Sequence, residues 1–171
     1  MSATIYFIGD LHFDHQAILG FCRGEFKTIQ DHNECLVELW NSVVKPKDVV
    51  YVMGDVSFSR EGLRYIKYMN GNKHLIKGNH DKFLIMDYVD AGFQKIEGIM
   101  RYKEFVLSHA PIHPSCLEFS WEYNIHGHIH KAEKNIDDNR YINVCADMIN
   151  YTPISIDQIR NRLKLLENEI G

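Results

Sequence analysis

Three times in the first eighty residues, a short apolar run rich in β-formers stops at a glycine followed by a polar side chain. Ile5-Tyr6-Phe7-Ile8 ends at Gly9-Asp10, and Val49-Val50-Tyr51-Val52-Met53 ends at Gly54-Asp55. His74-Leu75-Ile76 runs into Lys77-Gly78-Asn79-His80-Asp81. Such runs read as buried strands closed by turns. Over 30–44 the apolar residues Cys35, Leu36, Leu39, Trp40 and Val43 recur at helical spacing, and Pro46 then stops the helix. Residues 61–69, with Leu63, Ile66, Tyr68 and Met69, and residues 82–91 read as two further helices. This strand–helix alternation predicts a parallel sheet. In such sheets, groups at the carboxyl ends of separate strands meet in one crevice.

The second half changes character. Residues 93–96, 99–102 and 104–107 are short strands with tight connections, which suggests an antiparallel meander, and 124–126 and 141–145 add two more strand candidates. Ser155-Ile156-Asp157-Gln158 has the form of a capping box, opening a terminal helix with Ile159, Leu163, Leu166 and Ile170 on one side. The expected whole is an α/β protein, a β-sandwich flanked by helices. No internal repeat or Pro/Gly/Ser linker divides the 171 residues, so a single domain over 1–171 is expected.

The polar clusters after the strands are Asp10-Leu11-His12, Gly54-Asp55, Gly78-Asn79-His80-Asp81, Ser108-His109 and Gly127-His128-Ile129-His130. On extended backbone, residues i and i+2 point to one side, so Asp10 and His12, like His128 and His130, are expected to face together. Two aspartates, one asparagine and four histidines exceed what one ion needs, because zinc takes about four ligands and octahedral metals about six. Two ions sharing a carboxylate fit the count. A mixed nitrogen and oxygen set favours Mn²⁺, Fe, Ni²⁺ or Zn²⁺ over Ca²⁺ or Mg²⁺.

The net charge of -4 and the pI near 6.2 argue against binding polymeric nucleic acid, which needs a basic footprint. A nucleotide-sized ligand remains compatible, since bound cations add positive charge. No apolar run approaches the roughly 20 residues of a membrane span. The start of the chain does not read as a signal peptide, and the four scattered cysteines suit free thiols, so a cytoplasmic protein is expected.

The ordered set D-x-H, G-D, G-N-H-D, H and G-H-x-H over residues 10–130 resembles the calcineurin-like metallophosphoesterase superfamily. The short chain with Gly-Asp-Leu-His-Phe-Asp-His near its start is similar to the compact single-domain bacterial and phage members. The resemblance implies a four-layer α/β/β/α sandwich of two mixed sheets flanked by helices. It implies that Asp10, His12 and His130 bind one divalent metal, that Asn79, His109 and His128 bind another, and that Asp55 bridges them. It implies a bridging hydroxide as nucleophile, with His80 as acid or transition-state stabiliser and Asp81 as acceptor of a hydrogen bond from the His80 ring. The expected activity is hydrolysis of a small phosphoester, a nucleotide included, with a diester favoured because no large cap interrupts the motifs. Mn²⁺ is favoured, with Fe, Ni²⁺ or Zn²⁺ as alternatives. A non-catalytic protein-binding scaffold of the same fold, or a nuclease on short oligonucleotides, are the competing readings.

Other residues carry weaker signals. His15 and His126 adjoin motif residues and suit either substrate contact or support of a ligand. His113 is a candidate for the rim, and Arg23 for bidentate contact with a phosphate. Phe13, Trp121 and Tyr123 are candidates to flank the cleft, and His32 reads as a helix-surface residue.

Overall fold

The computed structural model describes residues 2–118, 121–131 and 139–170, the side chains of 167–170 excepted, so that of Ile170 falls outside it. The expected strands β1 (Ile5–Ile8), β2 (Val49–Val52) and β3 (Asn72–Ile76) lie parallel, with Ile5 opposite Val49 and Val49 opposite Asn72. The near-continuous apolar sequences of β1 and β2 follow from cover on both faces: Phe7, Ile8, Val50 and Val52 are buried, as are Leu75 and Ile76 at the end of β3.

Between β1 and β2 run a four-residue helix, α1 (Ile18–Phe21), which the periodicity does not announce, and α2 (Ile29–Val43). A capping box starts α2: Thr28 Oγ1 accepts the Asp31 N–H at 3.0 Å, and Asp31 Oδ2 accepts the Thr28 N–H at 3.1 Å. Its buried stripe carries Leu36 and Trp40, whose Nε1–H donates to the Asn70 carbonyl. The helix expected over 61–69 is a 3-10 helix, Gly62–Tyr68, and the next, α3, is confined to Ile85–Ala91.

The second half departs from the meander. Strand β4 (Phe93–Glu97) follows α3 and joins β3 in parallel, as a fourth crossover strand of the first sheet. Only β5 (Ile99–Tyr102) and β6 (Phe105–Ser108) form an antiparallel hairpin. Strands β7 (Tyr123–His126) and β8 (Tyr141–Asn143) add in parallel to β6 and β7. The connections 109–122 and 127–140 have the length of about a dozen residues or more that a parallel crossover requires. Strand β9 (Ile154–Ser155) runs antiparallel to β1. The result is two mixed sheets, ordered β4-β3-β2-β1-β9 and β5-β6-β7-β8, flanked by helices.

The terminal helix α4 (Ile156–Ile170) opens with the expected box: Ser155 N–H to Gln158 Oε1 at 2.8 Å and Gln158 N–H to Ser155 Oγ at 3.2 Å. Ile156, Ile159 and Leu163 are buried, whereas Leu166 is partly open. Among the described residues, no helix is long and apolar enough to cross a membrane.

The sheets close on each other through rings, with Phe7 stacked on Tyr51 at 5.5 Å and edge-on to Tyr102 at 5.9 Å. They meet again where β1 ends. Gly9 donates to the Val144 carbonyl at 2.7 Å and accepts the Ala146 N–H at 2.9 Å. That seam brings the first polar cluster beside the segment that follows β8.

Candidate metal centre

Past the strand ends, the first two polar loops run side by side. Asp10 N–H donates to Gly54 O, His12 N–H to Asp55 O and Phe13 N–H to Val56 O, at 2.9–3.0 Å. The expected extended geometry is not what aligns the side chains. Asp10 (φ 57°), His12 (51°), Asp55 (52°), His128 (73°) and His130 (46°) all have left-handed backbones. That conformation costs a non-glycine residue about 1–2 kcal/mol, and clusters of it mark functional sites. The turn in the chain, and not strand alternation, makes these side chains converge.

The glycines serve two purposes. Gly54 has φ of 82° and uses its conformational freedom. Gly78 and Gly127 matter for what lies where a Cβ would be: Asp55 Oδ1 against Gly78, and Asp10 Oδ2 against Gly127.

Two donor clusters result. In the first, Asp10 Oδ1 lies 3.8 Å from His12 Nε2 and 3.6 Å from His130 Nε2. In the second, His109 Nε2 lies 2.8 Å from Asn79 Oδ1, 3.1 Å from His128 Nδ1 and 3.5 Å from Asp55 Oδ2. Asp55 Oδ2 also stands 3.9 Å from His12 Nε2, so it lies between the clusters. All seven side chains singled out as ligands are therefore brought together.

These groups fit divalent cations on physical grounds. Asp10 Oδ1 and His12 Nε2 are buried without a hydrogen-bond partner, which is costly for polar atoms. Their separations are too long for hydrogen bonds, but donor atoms about 2.1 Å from one ion necessarily sit some 3–4 Å apart. The remaining lone pairs are already engaged. Asp10 Oδ2 accepts the His128 N–H at 2.9 Å and the Cys145 thiol at 3.1 Å, and Asp55 Oδ1 accepts the His80 N–H at 2.9 Å. Burial alone would push the Asp10 carboxyl up, but His12, His109 and His130 outweigh it and hold it at about 2.

Tautomers are set by backing groups. His109 Nδ1–H donates to the Met53 carbonyl at 2.7 Å, and His130 Nδ1–H to Asp147 Oδ1 at 2.8 Å, so both turn Nε2 inward. Burial opposes charge on the His130 ring, yet Asp147, Cys22 and Asp10 raise it to about 10. Asp147 was not singled out in the sequence, and neither was Cys145. A lone aspartate beyond the last motif gives no signal, since only the fold brings it to His130. Cys22, His130 and Asp147 also cluster closely. Arg23 lies 3.3 Å from Asp147, a fixed cation that makes this cluster support for His130 and not a further ion site.

Several expectations give way. Arg23 is fully buried: it donates to the carbonyls of Asp10 and Leu11 and contacts His32 Nε2 at 2.7 Å, so it braces the first loop and cannot reach a phosphate. His32, expected on a surface, is buried under Arg23, and burial followed by the Arg23 charge lowers its pKa to about 4. Asp81 does not meet the His80 ring. It is buried and accepts the N–H groups of Asp55, Val56 and Gly78 at 2.8–2.9 Å, tying two ligand loops together. His126 is buried and bonded to the Gly127 carbonyl, and His113 is exposed beside Ser115; neither lines the cleft. Phe13 lies in the core stacked on Tyr65 at 5.0 Å, and the Tyr123 ring packs against Phe105.

His15 and His80 do line the cleft, a cavity of about 300 Å³ shared with His12, Ala17, Ile18, Phe21, Asp55, His128 and His130. His15 lies flat on Phe58, centroids 3.6 Å apart, and its Nδ1 is 3.1 Å from His12 Nδ1. Burial, then the neighbouring His12 and His80, lowers the His15 pKa to about 4.

Comparison with known proteins adds independent findings. The profile of a family described as calcineurin-like phosphoesterase matches residues 3–169. An uncharacterized protein of Methanocaldococcus jannaschii is 36% identical over 95% of this chain and 91% of its own length. The gene 66 protein of Mycobacterium phage L5 is 37% identical over 47% of this chain and 41% of its own. A crystal structure of a protein of unknown function from Aquifex aeolicus matches with a TM-score of 0.75 and 27% identity, over 94% of this chain and 99% of that one. Pseudomonas putida nuclease MPE matches with a TM-score of 0.50 over 74% of this chain and 60% of its own, at 18% identity, a likeness of fold alone.

Proposed function

The chain belongs to the calcineurin-like phosphoesterase family, and from that premise we propose that it hydrolyses small phosphodiesters at a centre of two divalent cations. Asp10, His12 and His130 would hold one cation, and Asn79, His109 and His128 the other, with Asp55 shared. The observation that carries this reading is Asp55 Oδ2, set 3.9 Å from His12 Nε2 and 3.5 Å from His109 Nε2 while Oδ1 is occupied elsewhere. A mixed nitrogen and oxygen set favours Mn²⁺ over harder cations. When bound, the cations would neutralise phosphoryl charge and make solvent nucleophilic near neutral pH.

The chain's own groups divide the remaining work. His80 belongs to neither donor cluster, faces the cleft, and is registered to Asp55 through its backbone N–H. From there its ring protonates the leaving ester oxygen or donates to the phosphoryl group. The proton on His15 follows from its neighbour. His12 turns Nε2 to the donor cluster, so its Nδ1–H donates to His15 Nδ1. His15 then keeps its proton on Nε2, a neutral donor for a phosphoryl oxygen. Asp81 works through the backbone, holding the Asp55 and Gly78 loops at one spacing. The exposure of Asn79 and His128 leaves the second ester group of a diester room to project.

The test is turnover of bis(p-nitrophenyl) phosphate and p-nitrophenyl phosphate with Mn²⁺, Fe²⁺, Ni²⁺ and Zn²⁺, alongside metal stoichiometry. We expect two ions per chain, faster diester turnover, and His80→Ala that keeps both ions while losing about 10²–10³-fold in kcat. Absence of turnover with every metal would reject hydrolysis. Loss of metal in His80→Ala, with normal turnover by the fraction still loaded, would reject the role given to His80.

A further inference from the structure

The cleft has two unlike walls. One consists of His12, His15, Asp55, His80, His128 and His130; the other is Ala17, Ile18 and Phe21. Ile18 is buried and anchors α1, while the Phe21 ring is 85% exposed at the end of the same turn. A single exposed phenylalanine needs no explanation by itself. This one lines a cavity beside four candidate metal ligands, and the backbone that carries it is braced. The N–H groups of Cys22 and Arg23 both donate to the Ile18 carbonyl, at 3.1 and 3.2 Å. The Arg23 guanidinium is locked to the carbonyls of Asp10 and Leu11.

Phe21, which lines the cleft, and Phe58, which packs behind its histidines, differ in what surrounds them. Phe58, 38% exposed, packs against the rings of His15, His12 and His80, with centroids at 3.6, 5.3 and 4.8 Å. Phe21 has no ring neighbour among the described residues and leaves its faces open. An open ring carried on a hydrogen-bonded turn at the rim of a polar centre offers a face for stacking. A cleft of about 300 Å³ has room for a phosphate and one ring-sized substituent. Among the described residues that line it there is no lysine or arginine to neutralise a second phosphate.

We propose that Ala17, Ile18 and Phe21 form a subsite for an uncharged, flat aromatic ring carried by the ester substituent of the phosphate. The site thereby selects aryl or nucleoside esters over alkyl esters and polyphosphates. This rests on the phosphoesterase reading for the identity of the anchored phosphate, and binding tests it separately from turnover.

The experiment is calorimetric titration of the Mn²⁺-loaded protein with phenylphosphonate, methylphosphonate, adenosine monophosphate and pyrophosphate. Phenylphosphonate should bind about tenfold more tightly than methylphosphonate, the scale of one ring stack. Phe21→Ala should abolish that preference and Phe21→Trp should keep it. Tyr68→Ala, which removes another exposed ring away from the cleft, should leave it intact. Adenosine monophosphate binding more tightly than phenylphosphonate identifies a nucleoside, and weaker binding identifies a simple aryl group; both support a ring subsite. Equal binding of the two phosphonates, a preference that survives Phe21→Ala, or tightest binding of pyrophosphate overturns the proposal. If the ring preference stands but aryl diesters are not hydrolysed, the catalytic reading falls and the subsite remains. If diesters are hydrolysed without ring preference, the reverse holds. If neither phosphonate binds, the subsite falls, and turnover alone decides the catalytic reading.

Discussion

The two halves of the candidate centre use similar side chains but are built differently. The Asp10–His12–His130 half is enclosed: Asp10 and His12 are buried, and each ligand has a backing group of its own. Asp147 holds His130, His15 meets His12, Cys145 and the His128 N–H hold Asp10, and Arg23 braces the Asp10 carbonyl. In the other half, Asn79 and His128 are exposed, and His109 alone is buried, held by the Met53 carbonyl. Asp55 belongs to both. A ligand set held by oriented neighbours loses less freedom on binding an ion. Under the proposed assignment the enclosed half binds its cation more tightly, and the open half exchanges its own more readily.

The substitution that should break this asymmetry most severely is Asp55→Asn. It removes the charge common to both halves, so both affinities should drop together and kcat should fall by about 10³-fold or more, the scale of losing a principal electrostatic group. Metal titration with parallel kinetics checks this; loss of only one ion would show that Asp55 is not shared. Arg23→Ala should come next and should act on stability. It leaves Asp147 without its arginine and strips donors from the Asp10 and Leu11 carbonyls, so a cost of about 3–5 kcal/mol is expected in denaturant unfolding. A cost near zero would mean that the enclosure does not depend on this cation.

Smaller effects should separate the halves. Asp147→Asn should lower affinity for the enclosed cation by about 10–100-fold and spare the open one, whereas His128→Ala should do the opposite. Sequential calorimetric binding would then show opposite steps weakening in the two variants, and the same step weakening in both would sink the comparison.

The smallest effect concerns His32 beneath Arg23. Its folded pKa of about 4 lies below the 6.5 of a free imidazole side chain, so the unfolded chain binds a proton that the folded chain refuses. Stability is therefore intact above about pH 6.5 and is lost as pH falls towards 4, by about 1–2 kcal/mol between pH 7 and 5. His32→Gln should flatten that slope in unfolding measured across the window.

How much of this could be read in advance depends on the range over which each signal acts. Periodicity and turn chemistry are local, so β1, β2, β3, α2 and the Ser155–Gln158 box followed from neighbours in the chain. The seven donors followed from their residue types placed after strand ends. Asp147, Cys145 and the inward turn of Arg23 had no local signature, because each owes its place to contacts with distant residues. For the same reason His32 read as a surface residue: α2 alone gives no hint that Arg23 lies over it.

By itself, then, the sequence determined the order of elements in the first half, the identity of the candidate ligands and the family to which they point. The tertiary structure decided that β6, β7 and β8 lie parallel, because long connections permit pairings that short-range patterns cannot distinguish. It also decided that the ligand loops take left-handed turns at Asp10, His12, Asp55, His128 and His130. Backbone of that kind costs energy locally and is held by hydrogen bonds between distant segments: Asp10 and His12 to the 54–55 loop, Asp55 to Asp81, and His128 to the Asp10 carboxylate. The glycines after the strands carry the same lesson: Gly54 answers both to its turn and to the Gly78 backbone and His109 ring packed against it, while at Gly78 and Gly127 a carboxylate from elsewhere in the chain fills the space of a side chain.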